Sequence, residues 1–216
     1  MKLKSFLSFF LLLSARLYKT LFYLPFYFYY RFYFRDYFNV AKLKLEDEKE
    51  SNSLLFLLTE KNGSKSYLYK KQNILSVFYD MFFLNYKRID GVELYSAVEQ
   101  LKKNHILKEI FPEFILYKNK LLADFLNKNE YKRLDYFLDE SIKNDDAARI
   151  REELKKIADE LNNSGYIHGD IKAKNIYINK KTRKIKIIDW EGLRKISDSE
   201  KTVDKEKLEK IFENLK

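Results

Sequence analysis

A polar loop followed by two short apolar strands, at residues 166–191, constrains the fold of this chain most strongly. The loop contains His168 and Asp170, Asn175 opens the first strand, and Asp189 lies at the end of the second. A histidine and an aspartate at this spacing are common by chance. The complete set, with two strands around one polar turn, is much harder to obtain by accident. A hairpin that carries solvated charges is the alternative interpretation.

These residue types suit the transfer of a phosphoryl group from ATP. A carboxylate such as Asp170 can accept the proton of an attacking hydroxyl, while Asn175 and Asp189 can hold Mg²⁺ on the phosphates. A zinc site is disfavoured, because the chain has no cysteine and His105 is its only histidine besides His168. The lack of cysteine also excludes a disulfide scaffold and a thiol nucleophile.

The same residues resemble the catalytic and metal-binding loops of the protein-kinase-like superfamily, in which H-x-D-x-x-x-x-N precedes D-F-G. The resemblance implies that Asp170 is the catalytic base and that Asn175 and Asp189 bind the metal. It also implies that Lys172 contacts the transferred phosphate, and that His168 is structural and braces the loop. The cofactors that it implies are ATP and Mg²⁺.

One departure from the superfamily pattern is plain. The D-F-G position reads Asp189-Trp190-Glu191, and Gly192 comes one place late. The sequence D-W-E is similar to that of small-molecule kinase branches, such as the choline and aminoglycoside kinases. An in/out switch of the D-F-G type is therefore not expected here.

A predicted hairpin resembles the small lobe of the kinase fold, where a strand lysine pairs with ATP phosphates and with a helix glutamate. Its strands, Leu54–Thr59 and Lys65–Lys71, flank an Asn-Gly turn, which is a strong hairpin pattern. The sequence Tyr67-Leu-Tyr-Lys70 resembles the family's V-A-I-K. Its lysine is favoured over Lys71 because it shares a strand face with Leu68. No glycine-rich phosphate loop is visible before this strand.

The partner glutamate is expected on a predicted helix, Val92–Asn104, whose apolar residues recur at helical spacing. Glu93 and Glu99 compete for this role. Glu93 is favoured because it lies nearer the expected distance before the next strand. Either glutamate could instead be an ordinary solvated charge.

The remaining segments complete an α+β, two-lobed protein-kinase-like fold. Two further strands, Phe111–Tyr117 and Leu121–Leu126, give a five-stranded antiparallel N-lobe. A short helix at Arg133–Asp139 and a long amphipathic helix at Asp145–Asn163 begin a reduced, mainly helical C-lobe. Gly165 is expected to supply a left-handed turn after the long helix. The stretch that follows Asp-Trp-Glu is too short for the usual large helical lobe, which indicates a trimmed kinase fold.

Residues 1–38 differ in composition from the rest of the chain. The stretch Phe6–Leu13 is almost wholly apolar, and Leu21–Phe38 contains twelve aromatic residues in eighteen. Six basic residues stand against one acid, so this segment carries +5 of the net charge of +10. Charges and Pro25 interrupt any run of about 20 apolar residues that could span a bilayer. The expected domains are thus residues 1–38, an N-lobe at 39–126 and a C-lobe at 127–216.

The N-terminal composition predicts a segment that lies at a membrane surface, where Phe and Leu insert and Lys and Arg meet anionic lipid. A signal peptide with a cleavage site at Leu13-Ser-Ala15 is a second interpretation. Packing of the aromatic residues on the small lobe is the third. An exported kinase would lack ATP, so we expect the protein to be cytoplasmic and peripheral on the cytoplasmic face of the inner membrane.

The basic net charge favours an anionic partner: an anionic glycolipid or sugar acceptor, an anionic membrane, or nucleic acid. Lys-rich composition from an AT-rich genome is the alternative source of this charge. Nucleic acid is not expected, because no RNA-reading motif is present.

Two kinase branches are similar to this sequence. Lipopolysaccharide core heptose kinases are short, lack a tidy glycine loop and carry a strand of the form Tyr-Val-Leu-Lys. The kinase/ATPase of the KEOPS complex is also small, and its tail resembles Glu200-Lys-Thr-Val-Asp204. The first resemblance implies a phosphotransferase that acts on a sugar hydroxyl of the lipopolysaccharide core. A KEOPS-like atypical protein kinase and a non-catalytic pseudokinase adaptor are the alternatives.

Overall fold

The computed structural model describes residues 25–42, 54–71, 90–124, 126–139, 144–197 and 200–213. Their contacts divide them into two compact units. Unit 1 contains the described residues up to 71 together with 115–124, and unit 2 contains the others. The domain boundaries predicted after residues 38 and 126 remain a prediction, and residues 1–24 lie outside the described part of the chain.

Unit 1 is built on a five-stranded sheet with the strand order β1-β2-β3-β5-β4. Strands β1 and β3 each pair antiparallel with β2, and β5 pairs antiparallel with β3. The sheet agrees with the predicted five-stranded lobe. Its strands are β1 (Phe38–Lys42), β2 (Leu54–Glu60), β3 (Ser66–Lys71), β4 (Phe114–Tyr117) and β5 (Lys120–Asp124).

Left-handed residues form both tight turns of this sheet. Gly63 has a φ of 74° in the β2–β3 turn, where glycine meets no steric penalty. Lys118 and Asn119 join β4 to β5 with φ values of 46° and 62°. Two consecutive positive φ angles are typical of a type I′ turn, whose twist matches that of the flanking strands.

One face of this sheet is covered by an aromatic helix, α1 (residues 25–33). Tyr30 of α1 and Phe34 beyond it are buried against Phe56 and Tyr69 of the sheet. The Tyr69 hydroxyl donates to the Tyr30 hydroxyl over 3.1 Å, which satisfies a polar group inside the cluster. Full burial of an aromatic ring such as Phe34 stabilises the fold by about 1.5–3 kcal/mol.

The opposite face of β3 carries different side chains. Tyr67 and Tyr69 are buried in the aromatic cluster, and side chains alternate along a strand. Leu68 and Lys70 therefore project from the face that α1 does not cover. Both of these residues are half-buried.

Unit 2 contains the predicted helix before β4, now α2 (Gly91–Leu101). Asp90 caps it, because its side-chain Oδ1 accepts hydrogen bonds from the backbone N–H groups of Val92 (2.8 Å) and Glu93 (2.9 Å). The helix ends three residues earlier than predicted. Its buried side chains are those expected from the apolar stripe: Leu94, Ala97, Val98 and Leu101.

The long helix of unit 2 is α4 (Asn144–Asn163), one residue longer than predicted. Gly165 follows with a φ of 81°, the left-handed conformation expected at this position. The predicted apolar stripe is buried throughout: Ile150, Leu154, Ile157, Ala158 and Leu161.

Two short sheets complete unit 2. One has the order β6-β8-β9, and the other pairs β10 with β7. A last helix, α5 (Val203–Glu213), lies beside α4. The strands are β6 (Tyr131–Arg133), β7 (Tyr166–Ile167), β8 (Ile176–Asn179), β9 (Ile185–Ile187) and β10 (Arg194–Lys195).

Two predicted boundaries in unit 2 are wrong. The helix expected at Arg133–Asp139 begins one residue later, as α3 (Leu134–Asp139), because Arg133 ends β6 and pairs with Tyr177 of β8. The second apolar strand was expected to reach Asp189, but β9 ends two residues earlier, at Ile187.

Candidate active site

The β8–β9 hairpin brings together the two ends of the polar pattern. Asn175 precedes β8 and Asp189 lies two residues beyond β9, whose last residue, Ile187, pairs with Ile176. The backbone N–H of Ile188 donates to the Asn175 carbonyl over 2.8 Å. Antiparallel pairing therefore places the backbone of Asp189 beside Asn175, although the two residues are distant in sequence.

The carboxylate of Asp170 is half-buried and faces two side-chain nitrogens. Its Oδ2 accepts a hydrogen bond from Lys172 Nζ over 2.5 Å, and Asn175 Nδ2 lies 3.4 Å away. Asn175 Nδ2 also donates to the Asp170 carbonyl over 3.0 Å. These contacts hold Asp170, Lys172 and Asn175 within one hydrogen-bonded cluster.

The residues predicted as metal ligands supply a fitting donor set for Mg²⁺. Because Asn175 Nδ2 donates to Asp170, its side-chain oxygen is left to accept, and no described residue donates to it. Asp189, whose backbone lies beside Asn175, carries the second predicted ligand group, a carboxylate. Mg²⁺ prefers hard oxygen donors and usually completes its shell with water and substrate phosphates. Among the described residues, no group of three or more His, Cys, Asp or Glu could hold a metal ion.

Asp189 adopts a left-handed backbone conformation, with φ 62° and ψ 50°. For a residue with a Cβ this conformation costs about 1–2 kcal/mol, although aspartate tolerates it better than most. Strain of this kind persists only where neighbouring contacts enforce it, and it is concentrated at functional sites. Because of this conformation, the chain turns at Asp189, the predicted metal ligand, and does not continue in the direction of β9.

His168 is fully buried and links the two segments. Its Nδ1 accepts a hydrogen bond from the Asp170 backbone N–H, and its Nε2 contacts the Ile188 carbonyl, each over 3.2 Å. Since Nδ1 accepts, the ring proton must be on Nε2, which donates to Ile188. Burial lowers the pKa of His168 below its usual value, which favours this neutral form. The geometry suits the bracing role predicted for this residue.

Trp190, the departure from D-F-G, is a buried structural side chain. Its ring centroid lies 4.5 Å from that of His168 and 4.4 Å from that of Phe111. Its Nε1 donates to the Ile187 carbonyl over 2.6 Å. Trp190 therefore packs the segment after β9 against the loop histidine.

Two glycines allow the loop and this segment to approach closely. A Cβ at Gly192 would lie 2.8 Å from the His168 carbonyl oxygen. A Cβ at Gly169 would lie 2.7 Å from the Gly192 carbonyl oxygen, and Gly169 has a φ of 76°. The glycine that comes one place late is thus the one whose backbone packs on the polar loop.

Asp204 is a site residue that the sequence analysis missed. It lies in the first turn of α5 and is 2% exposed. Its two carboxylate oxygens accept hydrogen bonds from the backbone N–H groups of His168 (2.7 Å) and Gly169 (3.1 Å). Lys207, one turn later, donates to the Gly169 carbonyl over 2.5 Å. The spacing between Asp204 and Leu208 could have revealed that Asp204 faces inward, because an acid four residues before a buried leucine lies on the same face of the helix.

Lys70 and Glu93 belong to different units. Lys70 lies near the end of β3 in unit 1, and Glu93 is exposed in the first turn of α2 in unit 2. The competing Glu99 forms an ion pair with Lys102 over 2.8 Å. The predicted pairing of Lys70 with a helix glutamate remains a prediction.

Comparison with known proteins identifies the family. No curated protein matches this chain. Among solved structures, the kinase PK-1 of Cydia pomonella granulovirus is similar, with 15% identity and a TM-score of 0.47. The match covers 73% of this chain and 53% of the viral kinase, so it spans about half of that structure.

The antiparallel sheet of unit 1 and the helices of unit 2 form an α+β, two-lobed kinase-like fold, as predicted. Residues 54–212 match the sequence profile of protein tyrosine and serine/threonine kinases. This chain therefore belongs to the protein tyrosine and serine/threonine kinase family.

Proposed function

We propose that this protein is an ATP- and Mg²⁺-dependent phosphotransferase that phosphorylates a sugar hydroxyl of the lipopolysaccharide core. One observation carries the phosphotransferase assignment: Asp170 and Asn175 share a hydrogen-bonded cluster, and the β8–β9 hairpin brings Asp189 beside Asn175. These contacts support a proton acceptor, Asp170, close to the two residues that would supply oxygen donors for a cation, which is the set of groups that phosphoryl transfer requires.

Asp170 is the proton acceptor in this mechanism. The oxygen of the sugar hydroxyl would form a bond to the γ-phosphorus, and the hydroxyl proton would pass to the Asp170 carboxylate. The bond between the γ-phosphorus and the β–γ bridging oxygen would break, which releases ADP. Lys172 Nζ, which lies 2.5 Å from Asp170, orients the carboxylate and offsets negative charge on the transferred group.

The remaining residues position the nucleotide. Bound Mg²⁺ would neutralise charge on the phosphate oxygens and ATP would supply the phosphoryl group. The Asn175 side-chain oxygen and the Asp189 carboxylate would hold the cation, and Lys70 would contact the phosphates. His168, Trp190 and Asp204 keep the loop in place, so that catalysis rests on positioning and electrostatics.

The chain between Asp189 and α5 supports a small acceptor rather than a peptide. In protein kinases this region contains the activation segment. Here β10 pairs with β7, Arg194 binds Glu200 over 2.6 Å, and α5 begins at Val203. These contacts engage much of the described chain at residues 190–197 and 200–203, and in these two stretches they leave little surface on which a peptide could dock. The net charge of +10 suits an anionic glycan.

A KEOPS-like atypical protein kinase is the second candidate. The residues that carry this resemblance, Glu200 and Asp204, both make defined contacts. Glu200 binds Arg194, and Asp204 binds the backbone of the loop. A tail that braces the loop in this way is also compatible with a protein acceptor.

Phosphoryl transfer from labelled ATP separates these candidates. We expect the purified protein to label truncated lipopolysaccharide and not a general protein acceptor such as casein. Labelling of protein alone would support the second candidate. ATP binding without any transfer would indicate a pseudokinase and contradict the proposal.

Two substitutions test the assigned roles. Asp170→Ala should lower turnover by at least about a hundredfold while ATP still binds, because it removes the proton acceptor and leaves the proposed metal and phosphate ligands in place. Asp189→Ala should abolish Mg²⁺-dependent ATP binding, which isothermal titration can measure with and without the cation. Glu152→Gln, at an exposed carboxylate of α4, is the matched control and should behave as wild type. Normal turnover of Asp170→Ala would show that another group is the base.

A further inference from the structure

The outward face of α1 and its C-terminal turn exposes aromatic rings and arginines together. Phe28, Arg31, Phe32 and Arg35 follow the i, i+3, i+4, i+7 spacing of one helical face. Phe28 is 58% exposed and Phe32 66% exposed, and both arginines are exposed. Tyr29, beside this stripe, is 53% exposed. We call these five residues the aromatic–arginine face.

The inward side chains fix α1 on the sheet. Tyr30 and Phe34 are buried in the aromatic cluster, and Tyr33 donates through its hydroxyl to the Lys118 carbonyl over 2.8 Å. Phe28 and Phe32 are therefore exposed although their helix is packed on the sheet. These rings lie on a helix whose other side is committed to the core of unit 1.

The composition of this face suits a lipid interface. The Arg35 guanidinium lies over the Phe32 ring, 4.2 Å from its centroid, so a cation and an apolar ring are in direct contact on this face. At a bilayer surface, aromatic rings enter the headgroup and acyl boundary while arginine meets anionic lipid. Each such arginine adds to the attraction to anionic lipid.

We propose that the aromatic–arginine face docks on an anionic lipid bilayer, with α1 lying in the plane of the interface. Within the described residues, no helix is both long and apolar enough to cross a membrane, which is compatible with surface binding. A second copy of the chain fits less well. A two-fold interface through this face would bring Arg31 and Arg35 close to the same arginines of the other copy.

Vesicle flotation with the full chain tests this proposal. We expect strong binding to vesicles of equal parts phosphatidylglycerol and phosphatidylcholine, and much weaker binding to pure phosphatidylcholine. The Phe28→Gln/Phe32→Gln variant should bind the anionic vesicles about tenfold more weakly, because two partly exposed rings no longer enter the interface. Glutamine is chosen because it preserves helix propensity.

The arginines test the charge component separately. Arg31→Gln/Arg35→Gln should lose about twentyfold in affinity for anionic vesicles, with little change on phosphatidylcholine. Tyr136→Gln is the matched control, since Tyr136 is an exposed aromatic residue of α3 in the other unit. All variants are compared for thermal unfolding, so that a folding defect is separated from a binding defect.

Three outcomes would overturn the proposal. The phenylalanine variant could unfold like wild type and still bind vesicles with wild-type affinity. Wild type and the arginine variant could bind both kinds of vesicle equally. Wild type could also form a dimer that the phenylalanine variant abolishes, with no vesicle binding, which would assign this face to self-association.

Discussion

Buried His168 acquires its tautomer from two backbone groups. The Asp170 N–H donates to one ring nitrogen, and the Ile188 carbonyl accepts from the other. A second ring proton would remove the first of these bonds. At the scale of one residue, the loop and the segment before Asp189 are therefore joined by a neutral imidazole.

This tautomer predicts a pH dependence of stability. Burial lowers the pKa of folded His168, so the unfolded chain binds a proton more readily as the pH falls below about 6.5. The stability that His168 contributes is present above that pH and is lost as the pH falls toward the folded-state pKa. The free energy of unfolding, measured with urea between about pH 5 and 7.5, should depend less steeply on pH for His168→Gln than for wild type. Equal slopes would contradict the neutral, buried assignment.

Two site residues differ in how far the sequence alone could reveal them. The proximity of Asn175 to Asp189 was predictable, because one hairpin joins them. Asp204 was not found, because its carboxylate reaches the loop from a helix that starts far along the chain. The spacing from Leu208 marks Asp204 as facing inward, but only tertiary packing brings its carboxylate to the loop, and no local pattern encodes that contact.

At the scale of elements, α5 holds the loop through its first turns. Asp204 accepts hydrogen bonds from the backbone N–H groups of His168 and Gly169, and Lys207 donates to the Gly169 carbonyl. The loop does not rest on its own short strand alone, since β7 contains only Tyr166 and Ile167.

We predict that Asp204→Asn destabilises the protein by about 2 kcal/mol, because one of two accepting oxygens becomes a donor that opposes a buried N–H. Turnover should fall as the loop loosens, while KM for ATP changes little. Urea unfolding and steady-state kinetics measure the two effects. Asp204→Glu should recover part of the turnover if the carboxylate acts by holding the loop. A variant with wild-type stability and turnover would exclude this role.

The sequence predicted helices and strands correctly where the apolar pattern extends over many residues. It failed where a short segment becomes a strand only by pairing with another strand. The stripes of α2 and α4 repeat over several turns, so helical spacing identified their buried residues. The three residues of β6 have no pattern of their own and form a strand only because β8 pairs with them. For α1, aromatic residues occur on all sides, so composition could not separate the buried Tyr30 from the exposed Phe32.

At the scale of the whole molecule, the predicted nucleotide lysine and the predicted base belong to different compact units. Lys70 is in unit 1, whereas Asp170 is in unit 2. Phosphoryl transfer in this family would need both.

We therefore predict that Lys70→Met lowers turnover by about a hundredfold or more, as the loss of one preorganised charge commonly does. Thermal unfolding should change little, because Lys70 is not part of the aromatic cluster. Lys71→Met is the paired comparison and should retain activity. The reverse result would assign the phosphate contact to Lys71.

The two faces of β3 carry side chains with different proposed roles. Tyr67 and Tyr69 point toward α1, and Lys70 projects from the other side. If lipid captures α1, the lysine stays on the water side of the sheet, where nucleotide can exchange freely. An enzyme held in this way would search for its acceptor by lateral diffusion in two dimensions and could complete many turnovers without leaving the bilayer.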